Sequence, residues 1–146
     1  MELDNIDQNS MKDLDRGPSP WIVNIERAAL ENPNYRTALW TGPYLQLTVM
    51  SIPMGGDIGL EVHPDTDQFL RVEGGVGKAA MGPAEDNLTY EQFVVDGDAI
   101  FVPAGMWHNL VNYGSRPLKL YTVYAPPHHP HGTVHKTKEE ADAAEV

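Results

Sequence analysis

A chain of 146 residues, 41% of them hydrophobic, is long enough to bury a core and short enough to be one domain. It contains no cysteine, which excludes disulfides, thiolate metal sites and a cysteine nucleophile and leaves any transition-metal site to histidine, carboxylate, amide and water. A net charge of -11 argues against nucleic acid or anionic membrane as partners, because an acidic surface repels both before contact.

Residues 1–20 are polar and acidic and end in the breaker Gly17-Pro18-Ser19-Pro20, so a loose N-terminal segment is expected, with the fold starting near Trp21. Asp4, Asp7, Asp13 and Asp15 stand where a leader would carry basic residues, and no apolar run approaches membrane-spanning length. A cytoplasmic protein is the expectation. Asn24 can cap a short helix through Ala28 and Leu30, which Asn32-Pro33 would end, since the residue before proline avoids the helical region.

From Tyr35 the chain breaks into short runs of β-branched and aromatic residues separated by Gly, Pro or Asp. These predict strands over 35–40, 44–52, 58–63, 68–73, 77–81, 91–95, 99–102, 107–112 and 118–124. So many short strands in one domain, residues 21–125, predict an all-β sandwich or barrel, the double-sheet jelly roll among the options. Trp40, Tyr44, Phe69, Phe93, Phe101, Trp107 and Tyr121 are expected as core or interface aromatics. Gln46, Thr48 and Met50 share a more polar strand face, a candidate cavity lining along with Tyr121 and Tyr124.

Beyond the strands, residues 126–146 read as a proline-rich crossing segment followed by a short helix, which the capping box Thr137-Lys138-Glu139-Glu140 would start. His128, His129, His131 and His135 are irregularly spaced and interrupted by proline. A solvated connector is the expected reading. The sharper alternative sends this segment across the barrel mouth, with one histidine acting as acid or base there.

Strand parity places Glu61 and His63 on one face and Leu60 and Val62 on the other. Gln68 shares the apolar face of its strand with Leu70 and Val72, leaving Asp67 outward, and His108 shares a face with Leu110 and Asn112. Two imidazoles, one carboxylate and one amide oxygen suit one divalent ion of the Mn, Fe, Co, Ni or Zn type with open positions for substrate. The bland alternative makes Glu61 and His63 a solvent-facing stripe over a core formed by Leu60 and Val62. Inward ligands would instead leave those two needing cover, from the N-terminal segment or a second copy of the chain.

The spacing of these residues forms a two-part pattern. Gly55 is followed at set intervals by Glu61, His63, Gln68 and Gly75, and Gly97 by Pro103, Gly105, His108 and Asn112. Both parts resemble the paired signatures of the cupin family, over about residues 40–125. The resemblance implies a cupin jelly roll, one divalent metal at Glu61, His63, Gln68 and His108, and a homodimer. It departs at two ligands, since Glu61 stands where a histidine is usual and Gln68 where a glutamate is usual. The ending Tyr124-Ala125-Pro126-Pro127 with His129-Pro130 and Gly132-Thr133-Val134-His135 is similar to that of small single-domain cupins labelled sugar-phosphate-isomerase-like.

Three functions compete on this reading. One is a metal-dependent isomerase, epimerase or lyase acting on a small hydroxy-carbonyl or sugar-like substrate, with Glu61 and His108 as candidate catalytic residues and Glu61 as ligand or base. The scarcity of basic residues near the motifs favours a neutral sugar or keto acid over a phosphorylated substrate. The alternatives are an iron or manganese dioxygenase and a non-catalytic metal- or ligand-binding cupin.

Overall fold

Residues 14–144 are described by a computed structural model, and short antiparallel strands are their main regular structure. The elements are α1 (Ile25–Glu31), β1 (Arg36–Thr41), β2 (Gln46–Ile52), β3 (Asp67–Gly74), β4 (Val76–Gly82), β5 (Tyr90–Val95), β6 (Ala99–Val102), β7 (Trp107–Asn112), β8 (Leu118–Ala125), β9 (Val134–His135) and α2 (Lys138–Ala144). They form a six-stranded sheet, β6-β3-β8-β2-β1-β9, and a three-stranded sheet, β5-β4-β7. This is the jelly-roll arrangement that the resemblance implied and that the strand pattern left among its options. No helix among the described residues is long and apolar enough to cross a membrane.

Alternation decides which residues enter the space between the sheets. On β8, Leu118, Leu120, Thr122 and Tyr124 are buried while the residues between them are partly exposed; on β7 the buried set is His108, Leu110 and Asn112. The apolar members join Met50, Ile52, Leu70, Val72 and Ile100 in one core. Truncating a fully buried leucine such as Leu118 or Leu120 in such a core costs about 2–5 kcal/mol.

The helices follow their caps. Asn24 Oδ1 accepts the Arg27 N–H at 2.9 Å, and α1 stops at Asn32, whose backbone turns extended before Pro33. Thr137 Oγ1 accepts the Glu140 N–H at 3.2 Å at the start of α2.

Three expectations change, and the fourth, core or interface aromatics, loses its first half. Residues 58–63 do not form a strand: Asp57 and Glu61 make isolated bridges to Val111 and His108, and Gly59 between them sits at φ 89°, a conformation that interrupts an extended ladder. The segment still lies antiparallel beside β7. The histidine-rich tail is no solvated connector, because Thr133 O accepts the Ala38 N–H at 2.8 Å, and Val134 and His135 pair with Thr37 and Arg36 to add β9 to the sheet.

At the N-terminus, residues 1–13 lie outside the described residues, but Asp15 to Ser19 are tied down rather than loose. Arg16 N–H donates to Leu39 O at 2.8 Å, Asp15 Oδ2 accepts from Thr41 Oγ1 and Gly132 N, and Trp40 Nε1 donates to Ser19 O. Finally, none of the seven aromatics named above enters the core; the buried aromatics among the described residues are Tyr35 and Tyr124. Parity explains this, since Phe69 follows the inward Gln68 and Tyr121 lies between the inward Leu120 and Thr122. Phe69 instead packs outside against Phe101 and Tyr121, with centroids 5.0 and 6.0 Å away.

Candidate metal centre and the cavity beside it

Glu61 and His108 exchange both backbone hydrogen bonds, at 3.0 and 2.9 Å, which makes them a directly opposed pair with side chains on one face. His63, two residues on, returns to that face, and its carbonyl accepts from the Gly105 N–H at 2.9 Å. The Gly105 turn therefore fixes His63 and leads into His108. Glu61 Oε1 ends 3.2 Å from His63 Nε2 and 3.5 Å from His108 Nε2, and ligand atoms of the three lie within 4.8 Å of one another. His63 is 5% exposed and Leu60 41%, so the exposed-stripe alternative is reversed.

The tautomer of a neutral His108 is set by its other edge. Nδ1 lies 3.0 Å from the Met106 carbonyl, which can only accept, so the ring carries its proton there. The neutral ring then aims a lone pair from Nε2 at a carboxylate oxygen. Two acceptors in that position need a cation between them, whether a proton or a metal ion. Ligand bonds of about 2.1 Å to one ion put neighbouring donors about 3.0–3.4 Å apart in octahedral or tetrahedral arrangements, close to the spacings here. Burial works against the charge on Glu61, but where the two facing Nε2 atoms carry protons, hydrogen bonds from His108 and His63 outweigh it and hold the carboxyl well below the usual carboxylate range.

Gln68 is buried on β3, on the predicted inward face. Its Nε2 donates to Thr122 Oγ1 at 3.0 Å, while its Oε1 is buried without a hydrogen-bond partner. The amide hydrogen-bonds none of the other three predicted ligands. Its orphaned oxygen is the kind of atom that a cation satisfies. Asp67 points outward as expected and accepts from the Ala104 N–H at 2.8 Å, supporting the turn before His108.

Next to Glu61 and His63 opens a cavity of about 630 Å³ whose other wall is the tail, including His128, His129 and His135. The His128 ring centroid stands 4.1 Å from that of His63. Burial first, then neighbouring charges, lowers the pKa of all three tail histidines, that of His129 to about 2. His131 turns away, its Nε2 lying 2.9 Å from Gly17 O. Gln46, fully buried on β2, holds the tail through its amide, which bonds the backbones of His128 and His129.

Arg36 is the residue that sequence reasoning missed. It is 4% exposed on β1, with Nη1 3.1 Å from His135 Nδ1. An isolated arginine in a strand carries no local signal of burial. Gln46 did carry one, because an amide alternating with apolar residues on an inward face must find partners.

Residues 48–124 match the Cupin domain family, a span that runs from β2 to β8 and contains every predicted ligand. The chain belongs to the cupin family. This cupin is 57% identical over 131 residues to the uncharacterized protein YrkC of Bacillus subtilis, an alignment covering 90% of this chain and 70% of that one. It is similar to the crystal structure of BH2720 from Bacillus halodurans, with TM-score 0.88 and 58% identity, over 89% of this chain and 98% of the other. Oxalate decarboxylase of Bacillus subtilis, a protein with Mn(II) centres, matches at TM-score 0.54 and 22% identity over 60% of this chain and 23% of its own, a likeness of fold.

Proposed function

We propose that this cupin holds one divalent ion through Glu61, His63, Gln68 and His108 and uses it as an enzyme of the isomerase, epimerase or lyase type on a small hydroxy-carbonyl compound. The observation that carries the proposal is the Nε2 lone pair of His108 aimed at Glu61 Oε1 from 3.5 Å, with Nδ1 committed to Met106. Mn(II) in the oxalate decarboxylase neighbour is in keeping with such an ion on this fold.

A bound divalent ion would polarise a substrate carbonyl or hydroxyl. The chain's own groups divide the remaining work. Glu61, held ionised between two imidazoles, would be a ligand and a poor base; His108, with Nδ1 committed to Met106, would have both ring nitrogens engaged once Nε2 held the ion. Proton transfer therefore falls to His128, whose ring stands on the cavity wall beside His63. The Gln46 clamp positions it, and the tail excludes water from one side of the centre.

The outer face of β3, β6 and β8, with Phe101 70% exposed against Phe69 and Tyr121, is the surface we assign to a homodimer.

Elemental analysis of untagged protein beside His63→Ala and His108→Ala tests the centre. About one equivalent of metal, lost in both variants while the fold persists, is the expected result. Unchanged metal content in both would sink it. Iron accompanied by oxygen uptake would move the chemistry to the dioxygenase class.

A further inference from the structure

Arg36 is a buried charge that the metal reading leaves unused. A guanidinium stays protonated throughout the pH range of folded proteins, and among the described residues no carboxylate forms an ion pair with it. Its Cζ lies 5.3 Å from the Tyr35 ring centroid, and its Nε is buried without a hydrogen-bond partner. Keeping a charge out of water without a counter-charge is costly, so its retention beside a cavity points to an anion that arrives with a ligand.

The guanidinium also decides what the cavity wall presents. Arg36 can only donate, so His135 Nδ1 accepts and the neutral ring carries its proton on Nε2. His135 lines the cavity, and so does His129, whose Nε2 is buried without a partner. After burial, the Arg36 charge is the next cause lowering the pKa of both rings, so its field reaches the wall. Glu61 is the sole acid lining the cavity among the described residues, and it is turned toward His63 and His108. One guanidinium, with no lysine in the wall, suits a single negative charge better than the near-double charge of a phosphate monoester.

We infer that the cavity takes a small carboxylate, of the keto- or hydroxy-acid class, whose carboxylate accepts from His135 Nε2–H and serves as counter-ion to Arg36. The inference rests on the metal-centre reading for the other end of the ligand and on Arg36 and His135 alone for the carboxylate. Arg36 acts through His135 and is a positioning residue.

The test is calorimetric titration of the full chain, manganese-loaded and metal-free, with pyruvate and lactate and with their uncharged counterparts methyl pyruvate and methyl lactate. The loaded protein should bind at least one of the acids tenfold or more tighter than the uncharged probes. His135→Phe should abolish that preference while metal content stays at the wild-type level, and Arg36→Lys should retain part of it. Equal binding of charged and uncharged probes, no binding of any of the four, or a preference undiminished in His135→Phe would each overturn the inference. Should the protein take up no ion, the metal reading fails on its own, and the preference in metal-free protein with its loss in His135→Phe still decides the carboxylate.

Discussion

The side-chain amide of Gln46 grips the backbone of His129 from both sides. Its Oε1 accepts the His129 N–H at 2.9 Å while its Nε2 donates to the His129 carbonyl at 2.8 Å. The same Oε1 accepts the His128 N–H at 3.1 Å, and the same Nε2 donates to Thr41 Oγ1 at 3.0 Å. A residue on β2 thus sets where the tail crosses. Gln46→Leu keeps the bulk and removes all four bonds, and should cost about 3 kcal/mol in urea unfolding. Proteolysis between Ala125 and Val134 should quicken, with metal content unchanged because no ligand has moved.

The ligands should differ in what their loss does. Gln68→Ala removes a neutral amide and should weaken metal binding by about tenfold, far less than His63→Ala or His108→Ala, as measured by competition with a chelator. Asp67→Ala should leave metal affinity as it is and cost about 1 kcal/mol through the lost bond to the Ala104 N–H. Strong metal loss in Asp67→Ala would show that the neighbouring carboxylate is the true ligand.

Stability should fall with acid, starting near neutrality. Burial, then the Arg36 charge, brings the pKa of His129 from 6.5 to about 2, and His128 and His135 move in the same direction. Below pH 6.5 the unfolded chain takes up protons that the fold refuses. The contribution of His129 is therefore complete above pH 6.5 and drains by at most about 1.4 kcal/mol per pH unit below it. Glu61 acts lower: its lowered pKa contributes stability above about 4.5, the unperturbed value, which is lost as pH falls further. Thermal midpoints should drop between pH 7 and 5, and His129→Gln should flatten that slope. An equal slope in the variant would assign the acid sensitivity elsewhere.

The outer aromatic face should govern assembly. Phe101→Glu places a charge among Phe69 and Tyr121 and should convert a dimer to a monomer in sedimentation, with wild-type metal content. A dimer that survives this substitution would place the interface on another face.

Parity and spacing carried the interior side of the site. Leu70, Val72, Leu110 and Asn112 tell which face of each strand is inward, and Gln68 and His108 follow by counting in twos. The same counting placed Glu61 beside His63 even though residues 58–63 proved to be two bridges around Gly59 rather than a strand. It also puts Phe69 and Tyr121 on the outward faces of β3 and β8; what misled was the expectation that large aromatic side chains fill the packed face, since a narrow core need not admit them.

The sequence by itself therefore determined the all-β class, most strand positions and the inward placement of Gln68 and His108, since these rest on local periodicity and on turns that glycine and proline impose. Only the tertiary structure decided that the tail walls the cavity. Its histidines are held by Gln46 more than eighty positions earlier, and Arg36 meets His135 across a strand pairing of 99 residues' separation. Contacts of that range leave no period in the chain, because their partners are chosen by how the two sheets close and not by their neighbours in sequence.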